Sequence, residues 1–281
     1  GKPTGLTVWN PTPTEGDELI FVPDTHYFRV MVYKASDAKP GVHSVRASTG
    51  TAEVGSESVG VESPTPLAQF GEYGEGDGQF IYLTDVVVLP HQDGTGIGRL
   101  LVSEYGGNDR ISVFDVSGDI AAGTATFTFA RAIGTFGSGE GVEFNRPQSM
   151  EYDADRGWLV VADACNHRIG VLTLQGELVR WIGTPAGGRG EGEFLYPYGL
   201  TLLPDGTAMI CEFGNNRVQR IDLNTGTSLG VYGVPGRNAG QLSTPWAVTL
   251  LDGRLYILDS GNNRVQAIKA PGRGLFGLGA G

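Results

Sequence analysis

Five times along the chain an acid is followed, five or six residues later, by an arginine: Asp24 and Arg29, Glu104 and Arg110, Asp163 and Arg168, Glu212 and Arg217, Asp259 and Arg264. A carboxylate beside a guanidinium can serve catalysis, or it can serve architecture as an ion pair that fixes the register of two strands. Recurrence favours architecture, because an active site needs one such constellation and a fold assembled from repeats needs many. Four glycine-rich runs, at 74–80, 137–144, 188–194 and 236–242, raise the same question. A single run of this kind could cradle a phosphate on its backbone amides if a helix followed it. Here strand patterns flank each run and no helix opens after it, so the runs read as loops between sheets. Their last residues, Phe80, Phe144, Phe194 and Leu242, then pack between neighbouring sheets.

The elements that hold these residues follow from the same repeat. Each acid closes a short apolar run (19–22, 100–102, 158–161, 209–210, 255–257), and each arginine opens another alternating run. Between them lie Asn and Gly, which tolerate positive φ, so each copy is a hairpin in which acid and arginine face each other across the turn. The acids are spaced by 80, 59, 49 and 47 residues, a basic period of about 47 to 49. Four strands fit a period of that length, which is the make-up of a β-propeller blade, and no apolar pattern at i, i+3, i+4 supports a helical repeat. The stretch after Asp259 and that before Asp24 together make about one further period, which suggests that the polypeptide closes on itself as a ring. The expectation is an all-β propeller in one domain over residues 1–281, with five recognisable four-stranded blades. Residues 35–66 are either a long insertion or a degenerate sixth blade, and residues 118–125 lengthen a loop.

Composition narrows the function classes. With 20 basic and 31 acidic residues the net charge is −11, and no Lys/Arg cluster is present to release counterions from a polyanion, so nucleic acid is not an expected partner. The 45 glycines and a 40% hydrophobic content suit a globular protein of many turns. No run of about 18 apolar residues could span a bilayer as a helix, and residues 1–15 lack the basic-then-apolar layout of a secretory leader. Cys165 and Cys211 stand at non-equivalent repeat positions and read as free thiols, although a bridge between them is open at this level.

The turns Asn108-Asp109-Arg110-Ile111, Asn166-His167-Arg168-Ile169, Asn215-Asn216-Arg217-Val218 and Asn262-Asn263-Arg264-Val265, with the run Pro197-Tyr-Gly-Leu-Thr-Leu-Leu-Pro-Asp-Gly206, resemble NHL repeats. Such propellers usually have six blades, against five recognisable here. The resemblance implies one of several roles: an extracytoplasmic sensor, a protein-binding or RNA-binding module, or a peptidyl-hydroxyglycine amidating lyase. In the lyases zinc is held by three histidines that each directly follow the proline opening an innermost strand and point into the central channel. The matching positions here are Thr4, Thr84, Gln148, Tyr198 and Trp246, none of them histidine. The four histidines, His26, His43, His91 and His167, fall in unlike places and form no substitute set. RNA binders of this family use a basic face, which the charge of −11 does not offer. The enzymatic alternative is a calcium-dependent lactonase-like site, for which Asp85 and Glu151 are the acids nearest the inner strands. The favoured expectation is a non-enzymatic module without a cofactor that binds a protein partner. That partner could belong to a larger or membrane-attached assembly, and extracytoplasmic location follows from the resemblance. Thr84, Gln148, Tyr198 and Trp246 should surround one mouth of the central channel, as a contact patch or, for the two aromatics, as a plug.

Overall fold

Alternating aliphatic residues on either side of a tight turn produce a hairpin wherever the repeat occurs. In the computed structural model, which describes residues 5–10, 18–37 and 65–272, these hairpins are the second and third strands of five antiparallel sheets. The innermost strands are Thr7–Trp9, Tyr82–Pro90, Pro147–Asp153, Pro197–Leu202 and Ala247–Leu251. The hairpins run from Leu19–Asp24 into Arg29–Lys34, Ile97–Tyr105 into Arg110–Ser117, Trp158–Asp163 into Arg168–Thr173, Thr207–Glu212 into Arg217–Asp222, and Arg254–Asp259 into Arg264–Lys269. Outer strands Ala68–Phe70, Thr126–Ile133, Leu178–Gly183 and Ser228–Tyr232 complete the first four blades, and the fifth has three strands among the described residues. Most of the 35–66 segment lies outside the described residues; Ala35–Asp37 at its start form a 3-10 turn. No helix among the described residues is long and apolar enough to cross a membrane.

Side chains alternate between the two faces of each sheet, so every inner blade feeds two interfaces. In blade three Leu159 and Val161 pack toward blade two, while Val160 and Ala162 pack toward blade four. Four apolar clusters therefore fill the four junctions between successive blades. The closure that the spacing suggests is not sealed in this way. On the far face of blade five Leu251, Leu258 and Val265 are 58%, 42% and 60% exposed, and on blade one Leu6 and Val8 are 61% and 54% exposed. Among the described residues a seam separates the two end blades.

Each acid lies directly opposite its arginine in the strand register, as the repeat requires. The pairs do more than join two strands. In blade three Asp163 takes Arg168 Nε at 2.9 Å, the Asn166 amide at 2.8 Å and the backbone N–H of Asn145 at 2.7 Å. The rest of the Arg168 guanidinium donates to the carbonyls of Gly139 and Glu143, so one ion pair binds the hairpin to the glycine loop that enters the same blade. Blades four and five repeat the arrangement around Glu212 with Arg217 and Asp259 with Arg264. Glu104 and Arg110 do so in blade two. Blade one has the weak copy: Asp24 and Arg29 are 3.6 Å apart, and Asp24 Oδ1 and Arg29 Nε have no hydrogen-bond partner.

A second device ties successive blades together. The residue before each repeat arginine takes a left-handed conformation, with φ of 43° at Asp109, 53° at His167 and 54° at Asn216. From that position its side chain reaches the next blade: Asp109 accepts from the Arg146 amide at 2.6 Å, His167 Nδ1 from Tyr196 at 3.1 Å, and Asn216 from Thr244 at 2.7 Å. Acceptance at Nδ1 needs a neutral imidazole, and burial accordingly pushes the His167 pKa down.

Candidate functional site

The turns just described and the starts of the inner strands lie at one end of the molecule, and aromatic side chains collect there. Tyr82 and Tyr105 have ring centroids 5.2 Å apart. The Arg146 guanidinium lies over Tyr105 at 4.7 Å and over Tyr198 at 5.0 Å. Tyr198 in turn stacks on Phe213 at 4.9 Å and meets Trp246 edge-on at 4.8 Å. His26 from blade one reaches Tyr82 at 6.5 Å, so rings from blades one, two, four and five form one arc, with the cation that blade three supplies at its centre. The arc borders the central channel, a cavity of about 740 Å³ walled by all five inner strands.

Of the four residues that sequence places at this mouth, all line the channel cavity, but in different states. Tyr198 and Trp246 touch each other, and Gln148 accepts a hydrogen bond from Arg146 Nε at 2.8 Å. Thr84 is fully buried; its hydroxyl donates to the Pro147 carbonyl at 2.6 Å and pairs with Ser103 at 2.7 Å, so it ties blade two to blade three. Tyr198 is only 8% exposed, whereas Trp246 is half-buried and Tyr82 is 38% exposed. Arg146, Tyr82, Tyr105 and Phe213 are members of the arc that the repeat pattern alone does not single out. A signal for them exists: Arg146 stands before Pro147 where the other blades have Tyr196 and Thr244, and Tyr105 and Phe213 directly follow repeat acids.

The two carboxylates of the channel are engaged by backbone. Asp85 accepts from the amides of Val86 at 2.9 Å and Met150 at 2.8 Å and from the Ser149 hydroxyl at 3.2 Å. Glu151 accepts from the Leu202 amide at 2.8 Å. Inner strands of adjacent blades splay apart, so these amides have no strand partner and each carboxylate bridges the gap between blades. Burial, only partly offset by those hydrogen bonds, lifts Asp85 to about 6 and Glu151 to about 7. Among the described residues no three His, Cys, Asp or Glu side chains converge as a metal set would. Cys165 and Cys211 are free thiols, both raised by burial.

Glu151 gives a pH-dependent test. The folded protein keeps its proton up to about pH 7, whereas the unfolded polypeptide releases it near the ordinary value of 4.5. The group's contribution to stability therefore falls as pH rises through that window. Glu151→Gln retains an acceptor for Leu202 and removes the ionisation. Thermal melts at about pH 5 and about pH 8 should show a smaller gap for the variant than for wild type, with the variant the more stable of the two at the higher pH. An equal gap in both proteins would place the pH dependence elsewhere.

Sheets arrayed around a channel, each locked by an acid–arginine hairpin and four of them entered by a glycine loop, define a β-propeller. The family profile of the NHL repeat matches residues 242–268, the span from the loop anchor of blade five through its third strand. The chain is thus a β-propeller whose fifth blade matches the NHL repeat. It is 27% identical over 149 residues to NHL repeat-containing protein 2 of Gallus gallus, a match that covers 45% of this chain and spans 20% of that relative's length. Among solved structures it is similar to one polypeptide of a nidogen/laminin complex (17% identity, TM-score 0.57, 98% of this chain and 83% of that one). It is similar also to a Bacteroides caccae protein of unknown function (12%, 0.56, 96% and 78%) and to a streptogramin B lyase (16%, 0.52, 96% and 70%). At these identities the likeness is one of fold, and the fold serves an enzyme as well as a member of a protein complex.

Proposed function

We propose that this protein is a non-enzymatic binding module that docks a protein partner on the channel mouth, and that it works outside the cytoplasm as part of a larger or membrane-attached assembly. The observation that carries the reading is the arc of Tyr82, Tyr105, Tyr198, Phe213 and Trp246 around Arg146. Tyr, Trp and Arg supply most of the energy at protein interfaces, because each buries a large rigid surface and retains a polar handle. The solved nidogen/laminin complex gives a propeller of this fold in a protein assembly, and the family resemblance supports the extracytoplasmic location.

A photo-crosslinking residue placed at Tyr82, on the mouth, is compared in the native host with one at Asn224, in the turn at the far end of blade four. A partner captured from Tyr82 and not from Asn224, in the extracytoplasmic fraction, is the expected result. Capture from Asn224 alone would move the docking face. Stoichiometric calcium or zinc in the purified protein, with an activity lost on chelation, would replace the module by an enzyme using Asp85 and Glu151.

A further inference from the structure

We infer that Arg146 is the recognition centre of the mouth and that its ligand is a single carboxylate of a peptide, either the terminal carboxylate or that of an Asp or Glu residue. This rests on the mouth being the docking face. The repeat supplies its own control for the assignment. The residue before the proline of the inner strand is left-handed in three blades, with φ of 64° at Arg146, 50° at Tyr196 and 41° at Thr244, and in each its amide is held by the preceding blade. The architecture is thus satisfied by tyrosine or threonine at this place and does not call for an arginine.

The guanidinium is prepared for an anion. The rings of Tyr105 and Tyr198 on either side restrict its motion and shed water from its faces. Nε donates to Gln148, which fixes the rotation of the group and leaves the fork formed by the two terminal nitrogens without a hydrogen-bond partner among the described residues. Among those residues no carboxylate lies within ion-pair distance of it, unlike the repeat arginines, each of which faces its acid. Beside it a hollow of about 400 Å³, lined among others by Tyr105, Asp109, Phe136 and Cys165, has room for the residue that bears the anion, and the Asp109 carboxylate there is taken up by the amides of Gly106, Gly107 and Arg146.

The ligand class follows from geometry and charge. A planar guanidinium fork matches a carboxylate in bidentate contact. Phosphate-rich ligands need several cations, and here one cation stands alone on a protein of net charge −11, with the buried Asp109 carboxylate receiving its own backbone amide. The aromatic walls favour an apolar residue next to the carboxylate.

The test uses four small probes in calorimetric titration: N-acetyl-phenylalanine, which offers a terminal carboxylate; N-acetyl-aspartyl-phenylalaninamide, which offers an aspartate carboxylate; neutral N-acetyl-phenylalaninamide; and phenyl phosphate. Saturable millimolar binding of one or both carboxylates, with none by the neutral amide, is the expected result, and the carboxylate that binds identifies the source. Arg146→Thr, which installs the residue that blade five carries at this position, should fold as wild type does and bind at least about tenfold more weakly. Arg146→Lys, which keeps the charge and loses the fork, should fall between, and Arg189→Gln on a distant loop should bind as wild type. Equal binding by the neutral amide, tighter binding by phenyl phosphate, undiminished binding by Arg146→Thr, or no saturation by either carboxylate would each overturn the assignment. The two readings also fail separately. A partner crosslinked at Tyr82 and retained by Arg146→Thr would leave the mouth as the docking face and remove the carboxylate.

Discussion

Arg168→Ala should lower the free energy of unfolding by about 3–5 kcal/mol, measured by denaturant titration, because it leaves a buried carboxylate without its counter-charge. Asp163 is fully buried, Arg168 is 2% exposed, and burial already lifts the Asp163 pKa to about 6 in the presence of its partners. The substitution also frees the Gly139 and Glu143 carbonyls and removes the guanidinium from the Trp181 ring, 3.6 Å away. The comparison is Arg29→Ala in blade one. That pair is 3.6 Å apart with the arginine side chain 34% exposed, and its loss should cost no more than about 1 kcal/mol. Equal losses in the two variants would mean that the acid–arginine pair acts through charge alone and that its links to the glycine loop carry nothing.

Phe144→Ala should cost about 3–5 kcal/mol, the toll of removing a fully buried aromatic whose surroundings close only partly. Phe144 seats the glycine loop between blades two and three, with Trp181 edge-on at 6.0 Å. Gly134 completes the seat. Its φ is +78°, and a Cβ there would stand 2.4 Å from the Phe144 ring, so only glycine admits the anchor at that depth. Blade five holds Leu242 at the matching position, also fully buried, so Phe144→Leu should lose less than half as much as Phe144→Ala. Phe136→Ala, on a ring 61% exposed in the same loop, should stay within about 0.5 kcal/mol of wild type by the same titration.

The hairpins, the register of acid against arginine, and the buried Phe and Leu anchors are legible from sequence because each obeys a rule within one period. Relations between periods are harder to read. Asp109, His167 and Asn216 differ in type and share one task, acceptance of an amide from the following blade, so the eye sees three different turn residues. Thr84 occupies the same place in its strand as Tyr198 and Trp246, yet it is closed off by the Pro147 carbonyl, which lies 63 residues away in sequence. Arg146 could be noticed as an exception to its column. That it lies between Tyr105 and Tyr198 depends on how the blades fan, which no local pattern encodes. The seam is hidden for a related reason. Met209, Cys211 and Val218 are buried against blade five, while Leu258 and Val265 alternate in the same manner on blade five and are exposed. The same apolar alternation is written whether or not a neighbour is present.

The seam gives the described array of blades two ends, and stability in stacked repeats is approximately a sum of intrinsic terms and couplings between nearest neighbours. A closed ring would give every blade two couplings; among the described residues blades two, three and four have two each, and blades one and five have one. In such an array local opening is expected to start at the ends and travel inward, with blade three, where Asp163 and Arg168 are both buried, the last to let go. Because Arg146 belongs to blade three, the central cation of the mouth is mounted on the most heavily coupled part of the described array, and hydrogen exchange should find the outer members of the arc, His26 and Trp246, opening before its centre does.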